Sequence, residues 1–212
     1  MKPKIIVNYV TSSDFKVQEN EAFRKIWRLK DGSLVDDVFD FHIRKIQVKE
    51  VLEIDLSAMV MAEVTEAYSS IKVPCIVEHA GLVFDGYDTY PGGLTKPMWN
   101  SLESKFIEET RSADRKVKAR AVVGYCDGNT VKTFAGETAG KIAPVPRGDR
   151  KFYWDTVFIP EEAKDDLAGK TYAEIVKDKG LEFKMKNFSQ SAKAMIQFLE
   201  FRRTHTPDLW VY

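Results

Sequence analysis

The chain has 212 residues, enough for one large domain with a substantial core, and its 44% hydrophobic and 30% charged residues are typical of a globular protein. Lys and Arg together number 32, as do Asp and Glu, so no net charge draws the chain to nucleic acid or to an anionic membrane. Two cysteines are too few for a disulfide framework, and the sequence contains no signal peptide or membrane-spanning run, so we expect a cytoplasmic protein.

The first predicted unit is a strand followed by a helix. Residues 4–10 form a short β-branched apolar run, which indicates a buried strand, and residues 17–28 have helical spacing. A Ser/Thr turn that includes Ser13 lies between them, and Lys16 follows it. A helix N-terminus and a lysine can together bind phosphate, so Ser13 and Lys16 are candidate nucleotide-binding residues. The alternative, supported equally well by the sequence, is that Ser13 or Asp14 only caps the helix.

The central stretch contains the candidate catalytic residues. Residues 35–50 alternate apolar and polar positions, which predicts one or two strands or a hairpin, and residues 52–69 have helical spacing. Residues 76–84 then predict a buried strand that ends by presenting Glu78 and His79, turns at Gly81 and resumes. Ligands of open α/β sheets bind where strands end, which makes Glu78 and His79 candidate site residues. The alternative is a strand end that carries two solvated polar groups.

The second half of the chain predicts further sheet and helix. In order, the pattern indicates a loop at 85–93, a helix at 96–110, a strand at 118–126, a turn at 127–129, returning strands at 131–134 and 136–143, an aromatic segment at 152–160, a helix capped by Thr171 and Glu174, and a last helix at 192–203. The aromatic segment is either a strand edge or a platform for stacking a base. The whole chain, 1–212, is predicted to be a single α/β domain: a mixed twisted sheet flanked by helices, with inserted strands forming a second lobe.

These motifs occur in an order that resembles the inosine triphosphate pyrophosphatase family, the Ham-type enzymes that cleave non-canonical purine nucleoside triphosphates. The resemblance runs nearly end to end. It is carried by the strand–turn–Lys16 unit, Val77-Glu78-His79-Ala80-Gly81-Leu82, Pro91-Gly92-Gly93-Leu94, Gly136-Glu137-Thr138-Ala139-Gly140-Lys141-Ile142, Pro146-Arg147-Gly148, Phe152-Tyr153-Trp154-Asp155 with Phe158, Thr171-Tyr172-Ala173-Glu174 and Lys186-Asn187.

The resemblance implies an elongated two-lobed fold with the nucleotide in a central cleft, usually as a homodimer. Lys16 matches the lysine that reaches the phosphates, and Phe152 matches the residue on which the base stacks. Trp154, Asp155 and Lys186 match residues that surround the base. Gln190, in the segment that replaces the family's Ser-His-Arg, completes the nucleotide-binding candidates. Active members of the family use Mg²⁺ held by acids, so the candidate metal ligands here are Glu53, Asp55 and Glu78.

The departures from the family pattern fall mainly on the catalytic positions. Glu78 keeps the first of two strand acids, but His79 stands where the second acid, an aspartate, belongs. Histidine can act as a general base near neutral pH but is a poor ligand for Mg²⁺. Glu63 replaces a lysine of the preceding helix, which we expect to reverse the charge facing the phosphates. Ser189-Gln190-Ser191-Ala192 lacks the family's arginine.

Two functional hypotheses follow from this distribution. In the first, a degenerate site binds a non-canonical purine nucleotide such as dITP, ITP or XTP without efficient turnover. The chain is then a nucleotide sensor that signals to a partner effector, in the manner of bacterial antiphage systems with a sirtuin-like NAD-hydrolysing protein. In the alternative, the chain is an active Mg²⁺-dependent pyrophosphatase in which His79 or another acid takes the base role, and the products are the monophosphate and pyrophosphate.

Overall fold

A computed structural model describes residues 3–109 and 115–207, without the side chains at positions 104, 107, 109, 150 and 152. The strands are Ile5–Val10 (β1), Phe39–Arg44 (β2), Cys75–Phe84 (β3), Lys116–Cys126 (β4), Val131–Ile142 (β5) and Phe158–Pro160 (β6). The α-helices are Asp14–Ile26 (α1), Val35–Val38 (α2), Leu56–Ile71 (α3), Thr95–Leu102 (α4), Tyr172–Lys179 (α5), Leu181–Asn187 (α6) and Gln190–Thr204 (α7). Short 3₁₀ helices span Gly92–Leu94, Glu103–Glu109, Arg150–Thr156 and Asp165–Leu167.

Within these ranges the strands form one six-stranded sheet in the order β2-β1-β3-β4-β5-β6. β1 is parallel to both β2 and β3, and the other pairs are antiparallel. Helices pack on the sheet, which confirms the predicted α/β class with a mixed sheet. The division of residues 1–212 into one domain with two lobes stays a prediction. None of the helices in the described ranges is long and apolar enough to cross a bilayer.

β3 is much longer than the strand it pairs with on its β1 side. β1 contacts it only at Asn8 with Cys75 and Tyr9 with Ile76, whereas β3 runs on to Phe84. The next described pairing on that side is the bridge from Val83 to Pro91. On that side the backbone N–H of Leu82 donates to Oγ1 of Thr95. The edge of β3 at residues 77–81 therefore opens beyond the carboxyl end of β1, which is where ligands of α/β sheets bind.

Successive residues of β3 point to opposite faces of the sheet, as strand geometry requires. Ile76 lies in a core cluster with Tyr9 and Phe23, on the side of α1 and α7. Val77 lies in a second cluster with Val60 of α3, on the other face. A third cluster around Leu82, Phe84 and Phe158 packs the far end of the long strands.

Three sequence predictions for the elements need correction. β3 does not turn at Gly81, and this glycine serves close packing instead: a Cβ there would lie 2.3 Å from the carbonyl oxygen of Gly92. Residues 35–44 form a short helix and a strand parallel to β1 rather than a hairpin, because the strand pairs with β1 along its length. Residues 150–156 are 3₁₀ helix, so β6 is only three residues long.

Most of the other elements agree with the sequence except at their ends, and α6 has no counterpart among the sequence predictions. α1 and α3 were predicted from their periodicity, and the capping box of Thr171 and Glu174 is present at α5. The helix predicted at 96–110 is divided into α4 and a 3₁₀ helix, and its last residue lies outside the described ranges, as do residues 208–212 of the predicted tail.

A close approach of α3 to the sheet is testable. A Cβ on Gly124 of β4 would lie 2.4 Å from Cγ1 of Val60. We expect Gly124→Ala to lower the free energy of unfolding by about 1–3 kcal/mol, because the added carbon overpacks this contact. In the double variant with Val60→Ala the second change removes the clashing methyl, so the combined loss should be smaller than the sum of the two single losses. Urea unfolding of the four proteins measures this, and additive losses would contradict the close contact.

Candidate functional site

The turn after β1 places Ser13 and Lys16 beside the open edge of β3. Ser13 caps α1, since its Oγ accepts a hydrogen bond from the backbone N–H of Lys16 at 3.4 Å. The Lys16 ammonium donates to the backbone carbonyl oxygen of Glu78. The capping interpretation of Ser13 is therefore confirmed, and binding of phosphate by the same turn stays a prediction. The start of α1 and the Lys16 ammonium therefore lie beside the part of β3 that has no pairing with β1.

The carboxylate of Glu78 is buried and held by three elements. Oε2 accepts a hydrogen bond from Tyr9 at 2.9 Å and lies 3.5 Å from Lys16 Nζ, and Oε1 accepts from Ser191 of α7 at 3.0 Å. Burial favours the neutral acid, but the charge of Lys16 and the two hydroxyl donors outweigh it, so the pKa of Glu78 is lowered. Glu78 is thus a carboxylate at neutral pH with both oxygens engaged.

The space behind Glu78 is small. A cavity of about 20 Å³ is bordered by the side chains of Tyr9, Lys16, Asn20, Glu78 and Ser191, among others. It has room for about one water molecule and not for a nucleotide. This cavity therefore does not bring a nucleotide to Glu78, whose side chain is 4% exposed.

His79 points to the opposite face of the sheet and pairs with Glu63 of α3. Its Nε2 is in direct contact with Oε2 of Glu63, and the side chains are 20% and 3% exposed, respectively. The prediction that Glu63 faces the phosphates is corrected by this pairing, because the carboxylate is buried against the imidazole. Glu78 and His79 are neighbours in β3, so their side chains lie on opposite faces of the sheet at its open edge. The His79 side chain is appreciably exposed to solvent, and the Glu78 side chain is not.

A second buried charge cluster lies near the predicted base pocket. Nζ of Lys184 lies 2.6 Å from Oδ2 of Asp155 and 3.1 Å from Oε1 of Glu19, and the lysine side chain is 1% exposed. Burial raises the pKa of Asp155 and of Glu19 even though Lys184 opposes the shift in both. Burial lowers the pKa of Lys184, but the two acids outweigh it, so its pKa is raised and the ammonium is retained.

The lysine beside Asp155 is Lys184, whereas the resemblance predicts that Lys186 and Asp155 lie around the base. Lys186 is exposed on α6, so it does not join Asp155. The signal that the sequence analysis missed is helical spacing: Lys184 lies three residues after Leu181 and four before Phe188, on the apolar side of the helix. A lysine at such a position is buried with its partners.

The remaining base-pocket candidates have different surroundings. Trp154 is buried against the rings of Phe158 and Tyr172, so its indole belongs to the core. Gln190 is buried at the start of α7, and its Oε1 accepts a hydrogen bond from Tyr172 at 3.3 Å. The Phe152 side chain lies outside the described part of the structure, so its stacking role stays a prediction.

The three candidate metal ligands do not form one site. Glu53 accepts hydrogen bonds from the backbone N–H groups of Ile54 and Asp55, and Asp55 caps α3 through Ser57 and Ala58. Throughout the described ranges, no three His, Cys, Asp or Glu side chains converge as metal ligands would. The prediction of a Glu53–Asp55–Glu78 cluster therefore needs correction: the first two acids satisfy backbone donors and the third is held by Tyr9, Lys16 and Ser191.

Comparison with known proteins gives a consistent result. The model of the Ham1 family matches residues 7–201. The chain is 32% identical over 161 residues to the inosine triphosphate pyrophosphatase of Candida glabrata, covering 74% of this chain and 79% of the relative. It is 33% identical to inosine triphosphate pyrophosphatase 2 of Trypanosoma cruzi, covering 80% of each, and 34% identical to the dITP/XTP pyrophosphatase of Methanopyrus kandleri, covering 64% and 69%.

Solved structures share the fold at lower identity. A HAM1 protein from Coxiella burnetii superposes with a TM-score of 0.66 at 15% identity, covering 93% of this chain and 99% of the other. The Ham1 protein of Staphylococcus aureus gives a TM-score of 0.59 at 18% identity, covering 92% and 98%. These likenesses establish a common architecture.

The buried lysine provides a test with a matched control on the same helix. Lys184→Met leaves Glu19 and Asp155 without their cation, so we expect a loss of about 3–5 kcal/mol in the free energy of unfolding. Lys186→Met changes an exposed lysine two residues away and should cost no more than about 0.5 kcal/mol. Urea unfolding at neutral pH distinguishes the two, and equal effects would contradict the burial of Lys184.

The same variant should respond to pH in a defined direction. The pKa values of Glu19 and Asp155 are raised above the ordinary 4.5 and 3.8. At pH values between the ordinary and the raised pKa values, the folded chain therefore binds more protons than the unfolded chain. Stability from these groups therefore rises as the pH falls toward the ordinary values. In Lys184→Met no lysine charge opposes the rise of these pKa values. The loss in the free energy of unfolding of this variant, relative to wild type, should therefore become smaller as the pH is lowered from about 7 to about 5.

Proposed function

The chain belongs to the Ham1 family, and we propose that it hydrolyses a non-canonical purine nucleoside triphosphate, such as dITP, ITP or XTP, to the monophosphate and pyrophosphate. The observation that carries the proposal is the His79–Glu63 pair at the open edge of β3, across the strand from Lys16 and the start of α1. This arrangement offers a base and a cation on the two sides of one binding edge. The names of relatives that are more than 30% identical supply the substrate class.

The triphosphate is held at the start of α1. Lys16 supplies a positive charge, and the first backbone N–H groups of the helix, beside Ser13, supply donors for phosphate oxygens. Lys16 now contacts the Glu78 carbonyl and carboxylate, so binding requires its ammonium to share these contacts with a phosphate. Glu78 stays a carboxylate and keeps Lys16 in place.

His79 is the proposed acceptor of a proton from the attacking water. The water oxygen forms a bond to the α-phosphorus while the bond from this phosphorus to the α,β-bridging oxygen breaks, and pyrophosphate leaves with the bonding electron pair. The water proton goes to the imidazole, which Glu63 stabilises in its charged form. A positioned base of this kind contributes about 10²–10⁴-fold in rate.

The base of the nucleotide is proposed to lie toward α6 and the 3₁₀ helix at 150–156. The resemblance assigns the stacking surface to Phe152. The polar candidates are Asp155 and Gln190, both buried, and Trp154 packs against Phe158 and Tyr172. Lys184, rather than Lys186, contacts Asp155 and orients its carboxylate, and its charge opposes the rise in the pKa of Asp155 that burial causes. In this proposal, buried polar groups distinguish one purine base from another. A base that leaves a buried donor or acceptor without a partner is bound less tightly.

A metal ion does not fit these residues as a resident cofactor. The donor groups near the edge are the Glu78 carboxylate, with both oxygens occupied, the His79 imidazole and the Glu63 carboxylate, which is buried behind that imidazole. Mg²⁺ prefers several oxygen ligands, and this set offers it one oxygen without a partner among the described residues, Oε1 of Glu63. We propose that Mg²⁺ enters as the complex with the triphosphate, a form in which it neutralises phosphate charge. No step above depends on a protein-bound metal.

A second candidate is binding without turnover, and one observation favours it. Glu78 is the carboxylate nearest to the open edge, yet Tyr9, Ser191 and Lys16 occupy it, and no acid cluster is found in the described ranges. Such a site could bind the nucleotide in its ground state while supplying little stabilisation to the transition state. The associated partner effector, the role in antiphage defence and the homodimer stay predictions from the sequence.

The deciding experiment follows binding and product in the same samples. Purified chain with Mg²⁺ is titrated with dITP and ITP by calorimetry, while pyrophosphate release is measured, and dATP and dGTP serve as comparison nucleotides. We expect sustained release from dITP and ITP only. Tight binding without pyrophosphate would favour the sensor hypothesis, and neither binding nor release would overturn both candidates.

The proposed base is tested in parallel. His79→Asn keeps a polar side chain of similar size but cannot accept the water proton, so kcat should fall by about 10²–10⁴-fold. His42→Asn on β2 is the matched control, because this histidine pairs only with Asp40 in the described contacts and should retain wild-type kcat. Unchanged turnover in His79→Asn would show that another group takes the proton.

A further inference from the structure

We infer that Glu63 is a positioning residue, which fixes His79 in the tautomer with the proton on Nε2 and leaves Nδ1 as the nitrogen that accepts a proton from water. This inference deepens the proposed function and rests on it. The observation that carries it is the direct contact between Nε2 of His79 and Oε2 of Glu63. An ionised carboxylate accepts hydrogen bonds and cannot donate, so this contact favours a hydrogen on the imidazole nitrogen that faces it.

Glu63 occupies a position on α3 that otherwise belongs to the core. Val60, Val64 and Ala67, on the same side of the helix, are all 0% exposed, and Glu63 itself is 2% exposed. A carboxylate at such a position costs free energy unless it is paired. The Glu63 carboxylate thus lies among apolar side chains where α3 packs on the sheet, and its partner there is His79.

The pairing uses only half of the carboxylate. Oε1 of Glu63 is buried and has no hydrogen-bond partner among the residues that the structure describes. A pair built for stability alone would satisfy both oxygens or be replaced by an apolar contact, since a half-satisfied buried carboxylate is a poor stabiliser. Unsatisfied buried groups of this kind are more easily explained by a role in function.

The chemistry of a carboxylate–imidazole pair suits proton transfer. With the hydrogen on Nε2, the lone pair is on Nδ1, and the ion pair with Glu63 uses Nε2 only. When the imidazole takes a proton, the adjacent Glu63 carboxylate stabilises the new charge without moving. Holding the tautomer and stabilising the imidazolium are the two roles that a buried acid plays for a catalytic histidine in general.

Two substitutions separate these roles. Glu63→Leu fills the buried space without an acceptor, so both the tautomer preference and the charge are lost. Glu63→Gln keeps the shape and one acceptor oxygen but not the charge, which makes it the conservative variant and guards against a failure to fold. Glu66→Gln, an exposed acid one turn further along α3, is the matched control.

The first readout is the tautomer itself, which a purely structural pair would not need to fix. In protein labelled with ¹⁵N-histidine, the ring nitrogens of His79 are assigned by their loss in His79→Asn, since the chain has only 3 histidines. We expect a protonated Nε2 and a bare Nδ1 in wild type, Glu66→Gln and Glu63→Gln. In Glu63→Leu the two tautomers should mix. A wild-type ring with its proton on Nδ1, or an unchanged ring in Glu63→Leu, would overturn the inference.

The second readout is kinetic. For dITP hydrolysis we expect kcat to fall by about 10–100-fold in Glu63→Leu, as found for residues that orient a functional histidine, with less effect in Glu63→Gln and none in Glu66→Gln. KM should stay at the wild-type value, because Glu63 does not contact substrate. Equal kcat in wild type and Glu63→Leu would overturn the positioning role even if the tautomer changed.

The two levels of the proposal fail in different ways. If wild type releases no pyrophosphate, the proposed hydrolysis is wrong, and the ¹⁵N measurement still decides whether Glu63 fixes the His79 tautomer. If wild type hydrolyses dITP but the Glu63 variants behave as wild type in both readouts, the hydrolysis stands and the positioning role is wrong.

Discussion

The carboxylate of Glu78 joins three separate parts of the fold. Tyr9 reaches it from β1, Lys16 from α1 and Ser191 from α7, and all three contacts converge on a single residue in the middle of β3. Because the group is buried, it must keep these partners or become neutral, and its lowered pKa shows that the partners prevail. The start of α1 is thereby held against the edge of β3 that β1 leaves open. The geometry of the candidate site follows from this one anchored charge.

Strand geometry gives the neighbouring residues Glu78 and His79 different surroundings and different proposed roles. Side chains alternate across a strand, so Glu78 and His79 cannot share one face however close they are in sequence. The acid is turned toward α1 and α7, where hydroxyl and ammonium donors surround it, and the imidazole is turned toward α3. One group organises the charge at the edge, and the other is left accessible for proton transfer. The same alternation explains why each has its own buried partner from a different helix.

Much of this architecture follows from patterns in the sequence. Apolar periodicity located β1, α1, α3, β4 and α7, and the Thr171–Glu174 capping box predicted the start of α5. Gly81 misled the prediction, since a glycine within a strand can mark either a turn or a close backbone contact, and only the packing of Gly92 against it distinguishes the two. Local pattern also could not show that β2 pairs with β1, because strand pairing depends on contacts distant in sequence.

The candidate site was predictable in part and for different reasons. Glu78, His79 and Lys16 were found because they follow strand and turn signals that are local. The partners of His79 and Asp155 were missed, since Glu63 and Lys184 lie on helices whose faces become meaningful only once packed. Glu53 and Asp55 were overinterpreted as metal ligands because an acid near a helix start serves equally well as a cap, and Asp55 does so.

The contact between α3 and β3 also constrains how this chain can change. In this contact the helix carries Glu63 and the strand carries His79. Replacing His79 alone with aspartate would set two carboxylates against each other, and replacing Glu63 alone with lysine would crowd a cation against the imidazole. Each single replacement is therefore expected to be worse than the double replacement, which restores an attractive pair. The residue that one of these positions tolerates consequently depends on the residue at the other.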